Sequence, residues 1–407
     1  MDVSLFISKR YFFSRKSKAA VNIIAFISVF SITVATASIV IILSAFNGLQ
    51  QLVDSLYASF DPDIKITKTN QQLFELTSAQ KEEISSIAQV ASFSEVLEEM
   101  AMLRHNNFQS IVNLKGVDKR WNKTTGIDSM IYDGEFLLRS GSANYCVLGY
   151  GVASNLELSV NHNIDPVSVY IPKPIDNYSN LPGSSFYKKE AFPSGVFAIS
   201  PDFDNRYAIV DIAFIRNLLE KPNQCSAIEI GVLDESKMDE VAEKLKSVFG
   251  NEYSVKTRYQ QNELIYKTNE TEKWITFILL IFVLIVASFN VISTLTLILL
   301  EKQKDIKTLR SIGASFEQIR KIFFSQGLMI TYIGGTIGMF LGFAVYWLQT
   351  NIGLLRLEGG IVEFYPMAFK AQDYLLIAGT ILITGILFSW YPVKLVLKKR
   401  FFVNQNL

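Results

Sequence analysis

Few residues of this 407-residue chain could carry catalytic chemistry. His105 and His162 are its only histidines, and the sequence contains neither an H-E-x-x-H metal motif nor a G-x-S-x-G nucleophile elbow. It also lacks the G-x-x-x-x-G-K-[ST] loop with which many proteins bind ATP. We therefore predict a non-catalytic protein without a metal or cofactor of its own, so that any energy must come from another subunit.

The most distinctive spacing of residues lies between two long apolar runs. Ile306, Leu309 and Ile312 recur at helical spacing, basic residues cover much of the remaining surface, and Gly313 offers a break. A membrane helix that leads into a short basic amphipathic helix presents a contact surface to a soluble partner. We predict that residues 301–321 form a coupling segment. Its predicted contact residues are Glu301, Lys304, Asp305, Ile306, Leu309, Arg310, Ile312, Gly313, Ala314 and Ser315.

Four uncharged runs must position this segment. Each exceeds or matches the ~20 residues that cross ~30 Å of hydrocarbon. The first is too long for the ~7–15-residue core of a cleaved signal peptide, which favours a retained anchor. We predict transmembrane helices at 19–53 (with a projecting stalk), 274–300, 322–350 and 374–393.

The flanking charges predict the orientation of these helices. Residues 1–18 hold five basic residues against one acid, and residues 394–407 hold four basic residues and no acid. Residues 54–273 hold 22 basic and 31 acidic residues, which gives that block a net charge of −9. The positive-inside rule places both termini and the coupling segment in the cytoplasm, and 54–273 with the short loop 351–373 outside. We expect a multi-pass protein of the inner membrane.

The large external block mixes strand and helix patterns. Alternating apolar stretches are interleaved with amphipathic helices such as 211–219 and 234–249. The predicted fold is therefore an α-helical membrane protein with four transmembrane helices and a large α+β extracytoplasmic domain between helices 1 and 2. A second subdomain is expected at about 116–205.

One segment of this domain, 172–193, is rich in Pro, Ser, Asn and Tyr. Long loops of this kind either vary without special function or contact partners. Under the second interpretation the segment is a protruding arm. Its contact residues would be Pro172, Tyr178, Leu181, Pro182, Phe186 and Tyr187.

Small and polar residues mark the contacts between helices. Gly334, Gly338 and Gly342 repeat at every fourth position, which allows close packing either within the chain or at a dimer seam. Asn290 is a polar residue well inside the second predicted span, and either links helices or has a transport role. Cys146 and Cys225 could form a disulfide, but burial as two separate thiols is slightly favoured.

Four stretches resemble ABC transporter permeases of the FtsX/MacB type, and more narrowly the lipoprotein-releasing permeases of the LolC/LolE type. They are 23–50 with its closing Asn-Gly, 110–118 (SIVNLKGVD), 289–315 and the glycine-rich third helix with 390–399 (WYPVKLVLKK). The resemblance covers essentially the whole chain. It implies a non-enzymatic permease of the mechanotransmission class, in which a separate ATPase binds ATP and magnesium.

The resemblance also implies a set of partners. They are a LolD-like ABC ATPase seated on the coupling segment, a second permease copy or paralogue, lipoprotein cargo, membrane lipids, and a periplasmic lipoprotein carrier recruited by the arm. No nucleic-acid partner is expected. Two related functions stay open: a signalling permease of the FtsX kind that controls a cell-wall hydrolase, and a split MacB-like efflux permease. A purely structural membrane anchor is a further alternative, which the basic amphipathic segment disfavours.

Overall fold

The computed structural model describes residues 7–8, 10, 19–160, 165–173, 186–357 and 362–401. The chain divides into two compact units. We call Met1–Leu52 with Lys267–Leu407 the helical unit and Val53–Tyr266 the sheet unit.

Helices dominate the helical unit and also cover parts of the sheet unit. In chain order they are α1 (Ala19–Ala58), α2 (Ser78–Ser86), α3 (Trp121–Thr124), α4 (Tyr150–Asn155), α5 (Pro201–Asp204), α6 (Ile212–Leu218), α7 (Met238–Phe249), α8 (Arg258–Gln261), α9 (Glu263–Glu301), α10 (Gln303–Ser311), α11 (Phe316–Ile352) and α12 (Ala371–Phe401).

Among the described residues, four helices are long and apolar enough to cross a membrane: α1, α9, α11 and α12. This confirms the predicted membrane class of the fold. The helices α9 and α11 extend beyond the uncharged runs, because polar residues continue the same helix outside its apolar core. In the centre of the unit, Ile39 of α1, Leu284 of α9, Ile330 of α11 and Ile381 of α12 belong to one buried apolar cluster.

The strands of the sheet unit are β1 (Ile64–Lys68), β2 (Phe74–Glu75), β3 (Val90–His105), β4 (Phe108–Val117), β5 (Ile131–Gly134), β6 (Arg139–Ser140), β7 (Ala143–Gly149), β8 (Val167–Pro172), β9 (Phe186–Phe197), β10 (Tyr207–Asp211), β11 (Gln224–Cys225), β12 (Ala227–Val232) and β13 (Tyr253–Thr257). In the described part of the chain, the main sheet has the order β13-β1-β12-β3-β4-β10-β7-β9-β5, with β8 beside β3 and β9. The mixture of strands and helices confirms the predicted α+β class.

Among its described residues, the sheet unit contains two large apolar cores. One packs α4 and α6 on strands β3, β4 and β7 to β10, and the other packs α2 and α7 on β1, β12 and β13. Cys146 lies in the first core and Cys225 in the second, and both thiols are free and buried. Strands from within 116–205 join the same sheet as β3 and β4, so a separate subdomain there stays a prediction.

The glycine face of α11 packs against α1 of the same chain. A Cβ atom at Gly334 would lie 2.8 Å from the carbonyl oxygen of Val29, and one at Gly338 would lie 2.6 Å from that of Thr33. Gly342 lies against Val40 in the same way. These contacts are those of intramolecular packing, the first of the two interpretations of the Gly repeat.

We expect Gly338→Ala to destabilise the helical unit by about 1–3 kcal/mol, the usual cost of overpacking, because the new methyl group would meet a backbone carbonyl that cannot rotate away. A methyl group at Gly379 of α12 would instead point into open space, with no neighbouring atom within 4 Å. Gly379→Ala is therefore the matched control and should leave stability unchanged or slightly raised. Thermal unfolding of both variants in detergent measures the difference; equal midpoints would contradict the close contact between α1 and α11.

Candidate functional site

The coupling segment is a short helix between two membrane helices. The chain leaves α9 at Glu301, forms α10, and turns at Gly313, whose φ of +94° few residues other than glycine adopt. Ser315 then caps α11: its side chain accepts a hydrogen bond from the backbone N–H of Gln318, and the Gln318 side chain accepts one from the backbone N–H of Ser315. The cap and the glycine turn fix the angle at which the chain returns to the membrane.

One side of α10 packs onto the membrane helices. Ile306 is 1% exposed and belongs to a cluster with residues of α9, α11 and α12, including Leu299, Phe323 and Val393. Ala314 packs against the same cluster, and Leu309 is half-buried. Ile306 therefore anchors the segment to its own chain, which leaves it unavailable as a contact for a partner.

The other side of the segment is exposed and basic. Ile312 is 76% exposed, and Lys304, Lys307 and Arg310 lie on the surface around it. Asp305 forms an ion pair with Lys302, with 3.4 Å between Oδ2 and Nζ. The segment therefore exposes an apolar side chain at its end and three basic side chains before it, a combination that fits a groove with an apolar floor and an acidic rim.

Polar side chains link α1 to α9 inside the helical unit. Asn290 donates a hydrogen bond from Nδ2 to the Ser31 hydroxyl at 3.2 Å, and its backbone carbonyl oxygen accepts one from the Ser28 hydroxyl at 3.0 Å. The Ser28 hydroxyl also lies 2.6 Å from that of Thr294. These contacts give Asn290 an interhelical hydrogen-bonding role.

The stretch 110–118 contains a buried charge network. Lys115 is 1% exposed, and its Nζ lies 2.9 Å from Oε1 of Glu229 and 3.5 Å from Oε1 of Glu98. The same ammonium group lies over the rings of Phe60 and Trp121, 4.6 and 4.9 Å from their centroids. Sequence reasoning missed this network, because a lysine between apolar residues has no visible partner until β12 is placed beside β3.

Electrostatics in this network favour the ionised forms. Burial alone would lower the pKa of Lys115, but the carboxylates of Glu229 and Glu98 outweigh burial and raise it. Burial would likewise raise the pKa of Glu98, yet Lys65 and Lys115 hold it below its ordinary value. Trp121 donates an indole hydrogen bond of 2.6 Å to Oε2 of Glu229. The network therefore ties β4, β12 and α3 together.

The predicted arm begins as a hairpin of β8 and β9, in which Pro172 pairs with Phe186. Phe186 is 47% exposed, and its ring packs edge-on to that of Tyr170. Tyr187 instead packs against the core of the sheet unit. Tyr178, Leu181 and Pro182 lie outside the described residues, as does His162.

Comparison with known proteins identifies the family. The family model of the MacB-like periplasmic core domain matches residues 25–248, more than half of the chain, and that of the FtsX-like permease C-terminal domain matches residues 277–401. The chain belongs to the MacB-like, FtsX-like permeases. The second match includes the coupling segment and the last three membrane helices of this permease, and the first covers nearly all of its sheet unit.

Curated relatives of this permease match over nearly their full length. The chain is 25% identical to the lipoprotein-releasing system transmembrane protein LolE of Haemophilus influenzae, over 97% of both chains. It is 22% identical to LolC of Neisseria meningitidis, over 97% of this chain and 96% of the relative. Among solved structures, the periplasmic region of MacB from Actinobacillus actinomycetemcomitans matches 53% of this chain and 98% of its own, at 13% identity and a TM-score of 0.36.

Proposed function

We propose that this chain is the permease subunit of an ABC transporter that couples ATP hydrolysis in the cytoplasm to the extraction of lipoproteins from the inner membrane toward a periplasmic carrier. The observation that carries the proposal is the extent of the similarity to relatives named as transmembrane proteins of lipoprotein-releasing systems. At 22–25% identity, these relatives align over more than 95% of this chain and of their own length. Such a match includes the membrane helices, the coupling segment and the external domain together.

The coupling segment supports a separate ATPase as the source of energy. Its exposed face joins the Ile312 tip to three basic residues, while Ile306 anchors the segment to α9, α11 and α12. An ATPase that seats this tip in a groove could push on the ends of these helices when it closes around ATP and magnesium. Because the anchor is buried against all three helices, the push reaches the adjoining end of each of them.

Exposed apolar side chains of α1 and α9 suit a lipid-anchored cargo. Phe26 and Phe30 of α1 are 70% and 58% exposed, and Phe282 and Phe289 of α9 are 63% and 55% exposed. Removing an acyl chain from the bilayer costs about 0.8 kcal/mol for each CH₂ group. Apolar faces that replace lipid during extraction lower this cost, and ATP hydrolysis supplies the remainder. Two copies, or a copy and a paralogue, would enclose the cargo between such faces.

The hairpin of β8 and β9 is the proposed contact for the carrier. Its exposed Phe186 and the neighbouring Tyr170 offer aromatic surface at the base of the arm. Aromatic residues of this kind often provide the central contacts of a protein interface. The residues of the arm beyond Pro172 would complete this contact.

Identification of the proteins that co-purify with the tagged chain from its native membrane tests the proposal. We expect an ABC ATPase, triacylated lipoproteins, and either one or two kinds of permease. An ATPase with a cell-wall hydrolase and no lipoprotein would replace the proposal with the signalling function of FtsX-like permeases. An ATPase with a duct adaptor would replace it with MacB-like efflux, and recovery without any ATPase would refute the role of the coupling segment.

A further inference from the structure

Three membrane helices meet in a polar cluster at the end of the helical unit where the chain enters and leaves the sheet unit. Asn47 of α1 is 1% exposed and donates a hydrogen bond from Nδ2 to Oδ2 of Asp373 at 2.6 Å. Lys273 of α9 donates to Oδ1 of Asn47 at 2.9 Å, and lies 3.0 Å from both carboxylate oxygens of Asp373, which belongs to α12. Each of the three side chains thus contacts the other two.

Close backbone packing surrounds this cluster. Gly48 lies against the backbone of Pro366 and Met367, so that a side chain there would overlap them. The backbone N–H of Ala368 donates to the carbonyl oxygen of Ser44 at 2.9 Å, and Lys370 donates to the side chain of Gln50 at 3.2 Å. The segment that leads into α12 is therefore attached to α1 at several points.

The ion pair between Lys273 and Asp373 carries a desolvation cost that apolar contacts between helices do not have. The side chains of Lys273 and Asp373 are only 22% and 15% exposed, so both charges lose much of their hydration. Apolar residues of similar volume often stabilise a protein as well or better. A charged pair bridged by an amide differs from apolar contacts because its hydrogen bonds fix direction and register.

We propose that Asn47, Lys273 and Asp373 form a polar clamp that makes α1, α9 and α12 move as one body, and that the three are positioning residues for coupled release. This inference rests on the proposed function. Without the clamp, a push on α9 from the coupling segment would let the far end of α9 shift relative to α1 and α12. The clamp transfers the displacement of α9 to both neighbours.

The experiment uses the complete complex of this chain, its ATPase and its second permease in proteoliposomes with a fluorescent triacylated lipoprotein. Asp373→Asn and Lys273→Met should each lower the lipoprotein released per ATP hydrolysed by at least about fivefold, the lower end of typical coupling factors, while ATP hydrolysis continues. Glu272→Gln is the control, because this exposed neighbour of Lys273 lies outside the clamp. Release per ATP equal to that of the control in both variants would overturn the proposal.

The double variant Lys273→Asp with Asp373→Lys, which exchanges the two charges, provides a second test of the clamp. The Asn47 amide can donate and accept, so it can bridge the pair in either order. We expect the exchange to restore release per ATP to within about twofold of the wild type. If the two substitutions acted independently, their effects would add and the double variant would release less than either single variant. An exchanged complex that assembles without release, or that fails to assemble, would overturn the clamp.

A measurement without cargo separates the clamp from the proposed function. Spin labels on cysteines at Gln51 of α1 and Leu375 of α12, both exposed and close in sequence to Asn47 and Asp373, report the distance between α1 and α12 near the clamp. Cys146 and Cys225 are buried and escape labelling. We expect a narrow distance distribution in the wild type and a broader one in Asp373→Asn. If the wild-type complex releases no lipoprotein, the proposed function fails, and the distance distributions then decide on their own whether the clamp exists. Equal widths of the distribution in the wild type and in Asp373→Asn would overturn the clamp.

Discussion

Replacing Lys115 with Met is expected to lower the free energy of unfolding of the sheet unit by about 3–5 kcal/mol, the cost of leaving a buried carboxylate without its partner. Glu229 is fully buried and would lose its 2.9 Å contact with the ammonium group. For a unit of this size the melting temperature should fall by roughly 10 °C. Thermal unfolding of the whole chain in detergent, followed by tryptophan fluorescence, measures this change.

Two variants make this prediction specific. Lys119→Met removes an exposed lysine four residues further along the chain and should leave the melting temperature unchanged. Lys115→Met combined with Glu229→Gln removes both charges, while the Gln side chain can still accept the Trp121 hydrogen bond, so much of the lost stability should return. A single Lys115→Met variant as stable as Lys119→Met would contradict the buried network.

The network also predicts how stability depends on pH. Because the pKa of Glu98 is lowered in the folded chain, its contribution is complete above its unfolded pKa of about 4.3 and is lost as pH falls through the folded value. The raised pKa of Lys115 has the opposite consequence: its contribution is complete below about 10.4 and is lost only as pH rises through the folded value. The contribution of this network to stability should therefore be level between these limits, and Lys115→Met should reduce the loss on the acid side. Melting temperatures measured across this pH range test it.

Replacing Ile312 with Asp is expected to weaken binding of the ATPase by about 2 kcal/mol or more, roughly 30-fold, as for a central residue of an interface. The side chain is 76% exposed at the tip of the basic surface, where an aspartate would remove apolar contact and meet the acidic rim expected of the partner. Because Ile312 supports no internal packing, the yield of the chain should stay normal. The ratio of ATPase to permease after affinity purification gives the result.

Matched variants separate binding from folding. Ile352→Asp places the same charge at a residue that is 60% exposed at the other end of α11, and should leave ATPase recovery unchanged. Ile306→Asp should instead reduce the yield of the chain itself, because Ile306 is buried among its own helices. Normal ATPase recovery with Ile312→Asp would refute the proposed contact surface.

The length of the uncharged runs predicted the membrane helices, because a bilayer imposes one length and one composition on every span. The helical period of the apolar residues could not distinguish the two ends of the coupling segment. Ile306, Leu309 and Ile312 follow one helical period, yet Gly313 ends α10 so early that Ile312 turns away from the membrane helices. Contacts from α11 and α12 decide which of these side chains is buried.

Polar residues were harder to interpret from sequence, since their partners lie far along the chain. The stretch 110–118 is recognisable as a pattern, but the carboxylates that neutralise Lys115 come from β3 and β12. The Asn-Gly pair that closes the first apolar run has an analogous explanation. Asn47 meets residues more than 200 positions away, and Gly48 admits the segment before α12. Only the packed helices bring these groups together.

Release of a triacylated lipoprotein from proteoliposomes that contain this chain, its ATPase and its second permease is the most direct measure of the central claim. With a soluble carrier and ATP present, we expect lipoprotein to appear on the carrier, and we expect release to stop when Ile312→Asp replaces the wild-type chain. Hydrolysis of ATP by the wild-type complex with all lipoprotein left in the membrane would contradict the account.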